Sequence, residues 1–120
     1  MWEVETTEIF DAWFMEQTET LQIDMLAAMH LLEEFGPQLG RPYADTVNGS
    51  IFSNMKELRV QHSCCPIRAF FAFDPTRNAI VLCAGDKTGV NEKRFYKEMI
   101  KLADNEFTKH LSKKEPVCPR

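Results

Sequence analysis

The fold is decided by three strand-like segments, M-K-E-L-R-V-Q (55–61), P-I-R-A-F-F-A-F (66–73) and A-I-V-L-C-A-G-D-K (79–87). Short turn sequences separate them, which predicts antiparallel neighbours in one sheet. Each segment places at least one cation among apolar residues, and a buried cation is costly unless it faces water, a carboxylate or an anionic ligand. The segments therefore predict a phosphate-holding surface on one concave side of the sheet, formed by Lys56, Arg59, Arg68 and Lys87.

Helical patterns flank these strands. Trp2–Thr6 alternates like a first strand, and Thr7 can then cap a short helix. A second helix follows Thr18 or Thr20 and ends at Gly36, and a last helix covers 91–112. The predicted apolar faces of the three helices are Ile9, Phe10, Trp13 and Phe14; Leu21, Met25, Ala28, Met29, Leu32 and Phe35; and Phe95, Met99, Leu102, Ala103, Phe107 and Leu111.

This order predicts one α+β domain over residues 1–112. The domain has a small antiparallel sheet of four or five strands, an N-terminal helical hairpin and a C-terminal helix, with the helices covering one face. The glycine- and proline-rich stretch 36–54 is a connection rather than a domain boundary, because neither flank could bury its apolar face alone. Residues 113–120 are predicted to be a flexible tail.

Composition narrows the class of protein. The 120 residues carry a net charge of −4, but residues 1–52 hold ten acids and one base, whereas residues 53–120 hold eight acids and thirteen bases. This asymmetry favours a polyanion-facing surface on the second half, or mutual neutralisation of the halves across the fold. No apolar run approaches the ~20 residues of a membrane span, and no signal peptide is visible. The cysteines (Cys64, Cys65, Cys83, Cys118) lack metal-ligand spacing, which favours reduced thiols in a cytoplasm.

Six stretches together resemble the RelE/HigB-type toxins of type II toxin–antitoxin systems, within the RelE/ParE superfamily and its phage-derived, HigB-related branch. They are W-E-V-E-T-T-E-I-F-D-A-W-F at the start, G-R-P-Y-A-D-T-V-N-G-S, N-M-K-E-L-R, P-I-R-A-F-F-A-F-D, A-G-D-K-T-G, and R-F-Y-K-E-M-I-K-L-A-D opening the last helix. The resemblance covers about residues 1–112. The chain departs from many relatives in being acidic, with a sequence pI near 5.4.

The resemblance implies a microbial-RNase-like sheet that cuts mRNA without a metal or other cofactor, usually in the ribosomal A site. It also implies a cognate antitoxin, commonly with a helix-turn-helix DNA-binding domain. The toxin is then expected to reach operator DNA only through the antitoxin, and no membrane partner is implied. Arg59 and Arg68 are then expected to bind the phosphate and stabilise the transition state, because a guanidinium donates two hydrogen bonds to phosphate oxygens. Lys87 is a candidate general acid or a further electrostatic partner.

The remaining candidates have more than one interpretation. Glu57 is either a general base or an ion-pair partner that orients Arg59, and Lys56 either joins the site through a bulge or grips the RNA backbone. Tyr96 is a candidate for stacking on a base or part of the core rim. The cationic strip of Lys93, Arg94, Lys97 and Lys101 binds RNA or an acidic antitoxin segment, or is a solvated helix face. His30, His62 and His110 are expected to be structural, with His110 the best catalytic candidate among them.

The main alternative function belongs to another class of toxin. A same-fold, ParE-like protein would inhibit a protein target such as gyrase without cutting RNA, and it need not keep Arg59, Arg68 and Lys87 on one surface. A non-toxic interaction module is a third possibility.

Overall fold

A computed structural model describes residues 1–63 and 65–114. Its elements, in chain order, are β1 (Glu3–Thr6), α1 (Glu8–Met15), α2 (Glu19–Phe35), a 3-10 turn (Gly36–Gln38), β2 (Ala44–Thr46), β3 (Lys56–His62), β4 (Cys65–Phe73), β5 (Asn78–Asp86) and α3 (Glu92–Lys114). The predicted α+β class is confirmed. Helix α3 continues two residues beyond the predicted end at 112. The predictions for Cys64, Cys118 and the tail from 115 onward lie outside the described residues.

The five strands form one sheet in the order β1-β5-β4-β3-β2. The pairs β2–β3, β3–β4 and β4–β5 are antiparallel, but β1 pairs with β5 in parallel. The prediction of a wholly antiparallel sheet is therefore wrong at β1. The physical reason is that two helices and three strands separate β1 from β5, so no tight turn fixes their relative direction.

Helices cover both faces of this sheet, and the prediction of one covered face is wrong. Helices α1 and α2 pack on one face, where Phe10, Met25 and Leu32 join the core. Helix α3 packs on the other face with Ile100 and Phe107. The reason lies in β4 and β5, which are apolar at nearly every position instead of alternating, so that both of their sides require burial.

The predicted helix boundaries have visible physical causes. The Thr7 hydroxyl accepts a hydrogen bond from the backbone N–H of Phe10 and donates one to the carbonyl of Leu82, which ties the start of α1 to β5. Gly36 ends α2 at φ +55°, and the indole of Trp2 lies so close that a side chain at position 36 would overlap it. Both contacts fasten the N-terminal helices to the sheet.

A β-bulge in β5 changes which side chains face α3. Phe70 of β4 is paired with Cys83 and Phe71 with Val81, so Leu82 is an extra residue. Leu82 and Cys83 both lie in the core beneath α3, and the alternation of β5 is shifted by one from there on. The shift places Gly85, the partner of Arg68, on the α3 face, where a Cβ would lie 3.1 Å from the ring of Phe95.

Candidate active site

The two predicted strand arginines lie directly opposite each other. Arg59 of β3 is the cross-strand partner of Arg68 of β4. Leu58 and Val60 belong to the core beneath α1 and α2. Because side chains alternate along a strand, Glu57 and Arg59 therefore lie on the α3 face. The sequence alternation predicted that Glu57 and Arg59 share one face of the sheet, but not that α3 packs on that face.

Lys87 reaches the same region from the end of β5. Its backbone N–H donates to the carbonyl of Pro66, 3.1 Å away, which holds it beside the start of β4. Its ammonium nitrogen lies 5.1 Å from the centroid of the Tyr96 ring, in a cation–π arrangement. The side chain is only 16% exposed. We call Arg59, Arg68 and Lys87 the cationic cluster.

Glu57 lies at the centre of the cationic cluster. Its Oε2 accepts from Nε of Arg59 at 3.0 Å, and its Oε1 accepts from the hydroxyl of Tyr96 at 2.5 Å. Nε of Arg68 lies 3.8 Å from the same Oε1. The carboxylate is only 5% exposed. One buried acid therefore connects both arginines and the tyrosine, and through the tyrosine ring it connects to Lys87 as well.

These contacts change the acidity of the groups around Glu57. The hydrogen bond to Glu57 raises the pKa of Arg59 above its usual value, so the guanidinium stays charged. Burial raises the pKa of the Tyr96 phenol, and the hydrogen bond to Glu57 adds to this effect because ionising the phenol beside a carboxylate is unfavourable. At neutral pH Tyr96 is therefore a protonated donor and Arg59 a fixed cation.

Two further carboxylates at the cationic cluster were missed by sequence reasoning. Asp45 of β2 contacts Arg59 at 3.3 Å and also binds Arg41 at 2.9 Å. Hydrogen bonding from Arg41 lowers the pKa of Asp45, with a smaller contribution from Arg59. Glu92 of α3 accepts from Lys87 at 2.8 Å, which lowers the pKa of Glu92. The three-residue β2 lies inside a loop-like sequence, so no pattern indicated that Asp45 pairs with Glu57 across the sheet.

Arg68 retains unused hydrogen-bonding capacity. Its terminal nitrogen donates to the carbonyl of Ile67 at 3.1 Å, but its buried Nε has no hydrogen-bond partner within the part of the chain that the structure describes. The side chain is 14% exposed. The acceptor facing this Nε is the Glu57 carboxylate, whose Oε1 lies 3.8 Å away, beyond hydrogen-bond distance, so the contact is an ion pair rather than a hydrogen bond.

An open groove of about 400 Å³ lies over the cationic cluster. Its lining includes Arg59, Lys87, Glu57, Tyr96 and Asp45. Across residues 1–63 and 65–114, no group of three or more His, Cys, Asp or Glu side chains is arranged to hold a metal ion. The groove offers a ligand two cations, Arg59 and Lys87, each already paired with a carboxylate that also lines the groove, together with a protonated phenol.

The other predicted RNA contacts lie outside the cationic cluster. Lys56 is the cross-strand partner of Phe71, which belongs to the core beneath α1 and α2, so Lys56 lies on the other face of the sheet from Arg59 and Arg68. The register between β3 and β4 is regular from Lys56 to His62, and no bulge brings Lys56 to the arginines. Arg94 pairs with Glu98 on the exposed side of α3. Lys93 and Lys97 line a separate groove next to Tyr96.

Each histidine contacts a carboxylate elsewhere in the fold. His62 binds Asp24 of α2 at 2.7 Å, and His110 binds the buried Asp74 at 2.8 Å. His30 lies next to Glu33 on the surface of α2. These contacts agree with the structural roles expected for the three residues.

A solved structure shares the fold of this chain. A double arginine-to-alanine mutant of the E. coli toxin RelE in the free state superimposes with a TM-score of 0.61, covering 83% of this chain and 95% of that one at 12% identity. At that identity the likeness establishes a RelE-like fold. No helix among the described residues is long and apolar enough to cross a membrane.

Sequence comparison identifies the family. The model of the family "Phage derived protein Gp49-like (DUF891)" matches residues 12–108, and the chain belongs to this family. It is 47% identical over 103 residues to the candidate toxin HigB2 of Mycobacterium tuberculosis and 48% identical over 94 residues to the candidate toxin HigB3 of the same organism. The matches cover 85% and 78% of this chain, but half of HigB2 and 80% of HigB3. The predicted kinship with RelE/HigB-type toxins is confirmed.

Proposed function

We propose that the chain is the toxin of a type II toxin–antitoxin system and acts as a metal-independent endoribonuclease on mRNA bound to the ribosome. The observation that carries this proposal is the convergence of Arg59, Arg68 and Lys87 around Glu57 and Tyr96, where Arg59 and Lys87 line one open groove and Arg68 lies beside Arg59 on the neighbouring strand. RNA supplies its own nucleophile, so the protein needs only to orient the strand, neutralise the phosphate and manage protons.

In the proposed reaction the 2′-hydroxyl gives its proton to solvent water as its oxygen attacks the adjacent phosphorus, and the bond from phosphorus to the 5′-oxygen breaks. The products are a 2′,3′-cyclic phosphate and a 5′-hydroxyl. Arg68 and Arg59 bind the non-bridging oxygens, where negative charge grows in the transition state. Lys87 donates a proton to the departing 5′-oxygen, since it is the cluster cation that can release one.

Glu57 serves in this proposal as a positioning residue. Two interpretations of it were open from the sequence, a general base or an orienting partner for Arg59. The contacts favour the second, because both carboxylate oxygens already accept hydrogen bonds and little of the group is exposed. Glu57 then holds Arg59 and Tyr96 in the orientation that the phosphate requires.

A cognate antitoxin completes the proposed system. We infer that it carries a helix-turn-helix domain and that the toxin reaches operator DNA only through it. Because the proposed substrate is mRNA on the ribosome, the proposed site of action is the cytoplasm.

The decisive experiment replaces Arg68 with Ala and measures cleavage of a defined mRNA on purified ribosomes. Loss of a charged donor facing developing charge typically costs about 2.7–4 kcal/mol, so the rate is expected to fall on the order of 10²–10³-fold. Arg77→Ala is the matched control, because Arg77 packs over Trp2 and contacts no member of the cationic cluster. Protein that has been treated with EDTA and then dialysed is expected to cleave as fast as untreated protein, in an assay that keeps the Mg²⁺ that ribosomes require.

Three outcomes would overturn the proposal. Equal cleavage by the Arg68→Ala and wild-type proteins would remove the cationic cluster from the mechanism. Activity lost by the EDTA treatment of the protein and restored by adding a metal ion back would make the enzyme metal-dependent. Growth inhibition without new RNA ends in the cell would favour the ParE-like alternative, in which a protein is the target.

A further inference from the structure

A second groove, of about 660 Å³, adjoins the cationic cluster and lies between α3 and the loop 48–51. We call it the α3 groove. Asn48 and Tyr96 line both this groove and the one over the cluster, so the two grooves adjoin at these residues. A strand whose phosphate occupies the cationic cluster can therefore pass directly into the α3 groove.

The loop wall of the α3 groove is held in place by α3 itself. The buried Asp104 carboxylate accepts from the hydroxyl of Ser50 at 2.5 Å and from the backbone N–H of Ile51 at 3.1 Å. Behind the loop, Phe52 packs edge-on against Phe107 with ring centroids 4.8 Å apart. These contacts preform the groove, which lowers the entropy cost of binding.

The helix wall carries positive charge that has no partner. Lys93, Lys97 and Lys101 line the groove, and none of them forms an ion pair within residues 1–63 and 65–114. By contrast, Arg59 and Lys87 of the cationic cluster are each paired with a carboxylate. The three lysines follow one another at four-residue steps of about 6 Å along the helix. A polyanion can bind them without displacing a protein carboxylate.

The remaining surface of the groove fits a nucleobase. Ile51 is 76% exposed and lines the groove together with Ile100 of α3. The side-chain amides of Asn48 and Asn105 also line the groove, and no hydrogen bond within the described residues engages them. An apolar platform next to free amides suits a base that packs by its face and is recognised at its edge.

We propose that the α3 groove binds the single-stranded RNA next to the scissile phosphate, with Lys93, Lys97 and Lys101 on the backbone and Ile51 under a base. Asn48 and Asn105 contact the edge of that base and so determine sequence preference. This inference rests on the proposed function and adds a substrate subsite to it. The chemistry favours RNA over an acidic peptide because the lysines alone would serve a peptide, whereas the free amides and exposed Ile51 add base-specific contacts.

Binding is tested with a short 2′-O-methyl oligoribonucleotide, which lacks the nucleophile and cannot be cut. Fluorescence anisotropy on the Lys97→Glu/Lys101→Glu double variant is expected to show at least tenfold weaker binding. The slope of log affinity against log salt is expected to fall by about 1.4, for two lost phosphate contacts on a single strand. Lys109→Glu is the matched control, since Lys109 lies on α3, pairs with Glu106 and does not line the groove.

Recognition of the base is tested by mapping RNA ends. Asn48→Ala and Asn105→Ala are expected to change which sequences are cut, and Ile51→Ala to weaken oligonucleotide binding. Circular dichroism and thermal unfolding verify that each variant folds. Unchanged RNA affinity of the double lysine variant, or tighter binding of a polyglutamate peptide than of RNA, would overturn the inference. Because this probe cannot be cut, groove binding is measured even if the protein cleaves no RNA, and the two proposals fail separately.

Discussion

The carboxylate of Asp74 fastens the turn between β4 and β5 to the C-terminal half of α3. Its Oδ1 accepts from the backbone N–H groups of Thr76 and Asn78 and from the Thr76 hydroxyl, at 2.9–3.0 Å. Its Oδ2 contacts Nε2 of His110 at 2.8 Å. The side chain is fully buried. Replacing it with Asn keeps the shape and an oxygen for the turn but removes the charge.

The magnitude of this effect follows from the acidity of Asp74. Burial acts to raise its pKa, but the hydrogen bonds from His110 and the turn outweigh burial and lower the pKa from 3.8 to about 2. A difference of nearly two units corresponds to about 2 kcal/mol of folding stability. Because the folded-state pKa is the lower one, this stability is present above pH 3.8 and is lost as the pH falls towards 2.

Urea denaturation of the Asp74→Asn variant measures the effect. At pH 7 we expect a loss of about 2 kcal/mol, or on the order of 5–10 °C in melting temperature. The difference from wild type should shrink clearly at about pH 2.5. Asp86→Asn is the matched control, because Asp86 makes the same turn contacts to Thr88 at an exposed position without a histidine. Equal stability of the two proteins at pH 7, or a pH-independent difference, would refute the reasoning.

Two further substitutions test the site and the fold. Glu57→Gln is expected to slow mRNA cleavage at least tenfold while the protein stays folded, because the weaker acceptor no longer fixes Arg59. Circular dichroism verifies the fold of the variant. Full activity would show that other residues set the orientation of Arg59. Gly36→Ala is expected to destabilise the protein by more than about 1 kcal/mol, since the methyl group meets the Trp2 indole at a positive φ. Gly40→Ala, which has open space around it, is the control in the same urea titration, and equal midpoints for the two variants would contradict this account.

Local patterns predicted the three helices and the strands β1, β3, β4 and β5, but not β2 (Ala44–Thr46), which lies within the stretch predicted to be a connection, and not the long-range arrangement. Helix caps such as Thr7 and the alternation of β3 act over a few residues, so the sequence displays them directly. The parallel pairing of β1 with β5 depends on a contact between segments more than seventy residues apart. The apolar runs of β4 and β5 are typical of strands buried on both faces. An antiparallel sheet, however, is commonly covered on one face only, and this led to the wrong prediction for the second face.

The candidate site was predictable to a similar degree. Arg59 and Arg68 lie within regular alternation, so their shared face follows from counting. The placement of Lys87 on that face depends on the bulge at Leu82, because the bulge shifts the alternation of β5 by one residue. No local sequence pattern predicts this bulge. Asp45 and Glu92 come from a short edge strand and from the start of α3, and only the tertiary fold brings them to the cations.

For the proposed RNA substrate, the carboxylates around Arg59 and Lys87 make binding an exchange of anions rather than the addition of one. Asp45 and Glu92 already occupy these cations in the free protein, so an incoming phosphodiester has to replace one anion with another. An anion that contacts only Arg59 and Lys87 gains little binding free energy from this exchange. A strand held along the neighbouring lysines presents its phosphate to Arg59 and Lys87 at high local concentration. We therefore expect Asp45 and Glu92 to weaken the binding of isolated anions more than the binding of a long strand that also contacts the lysines.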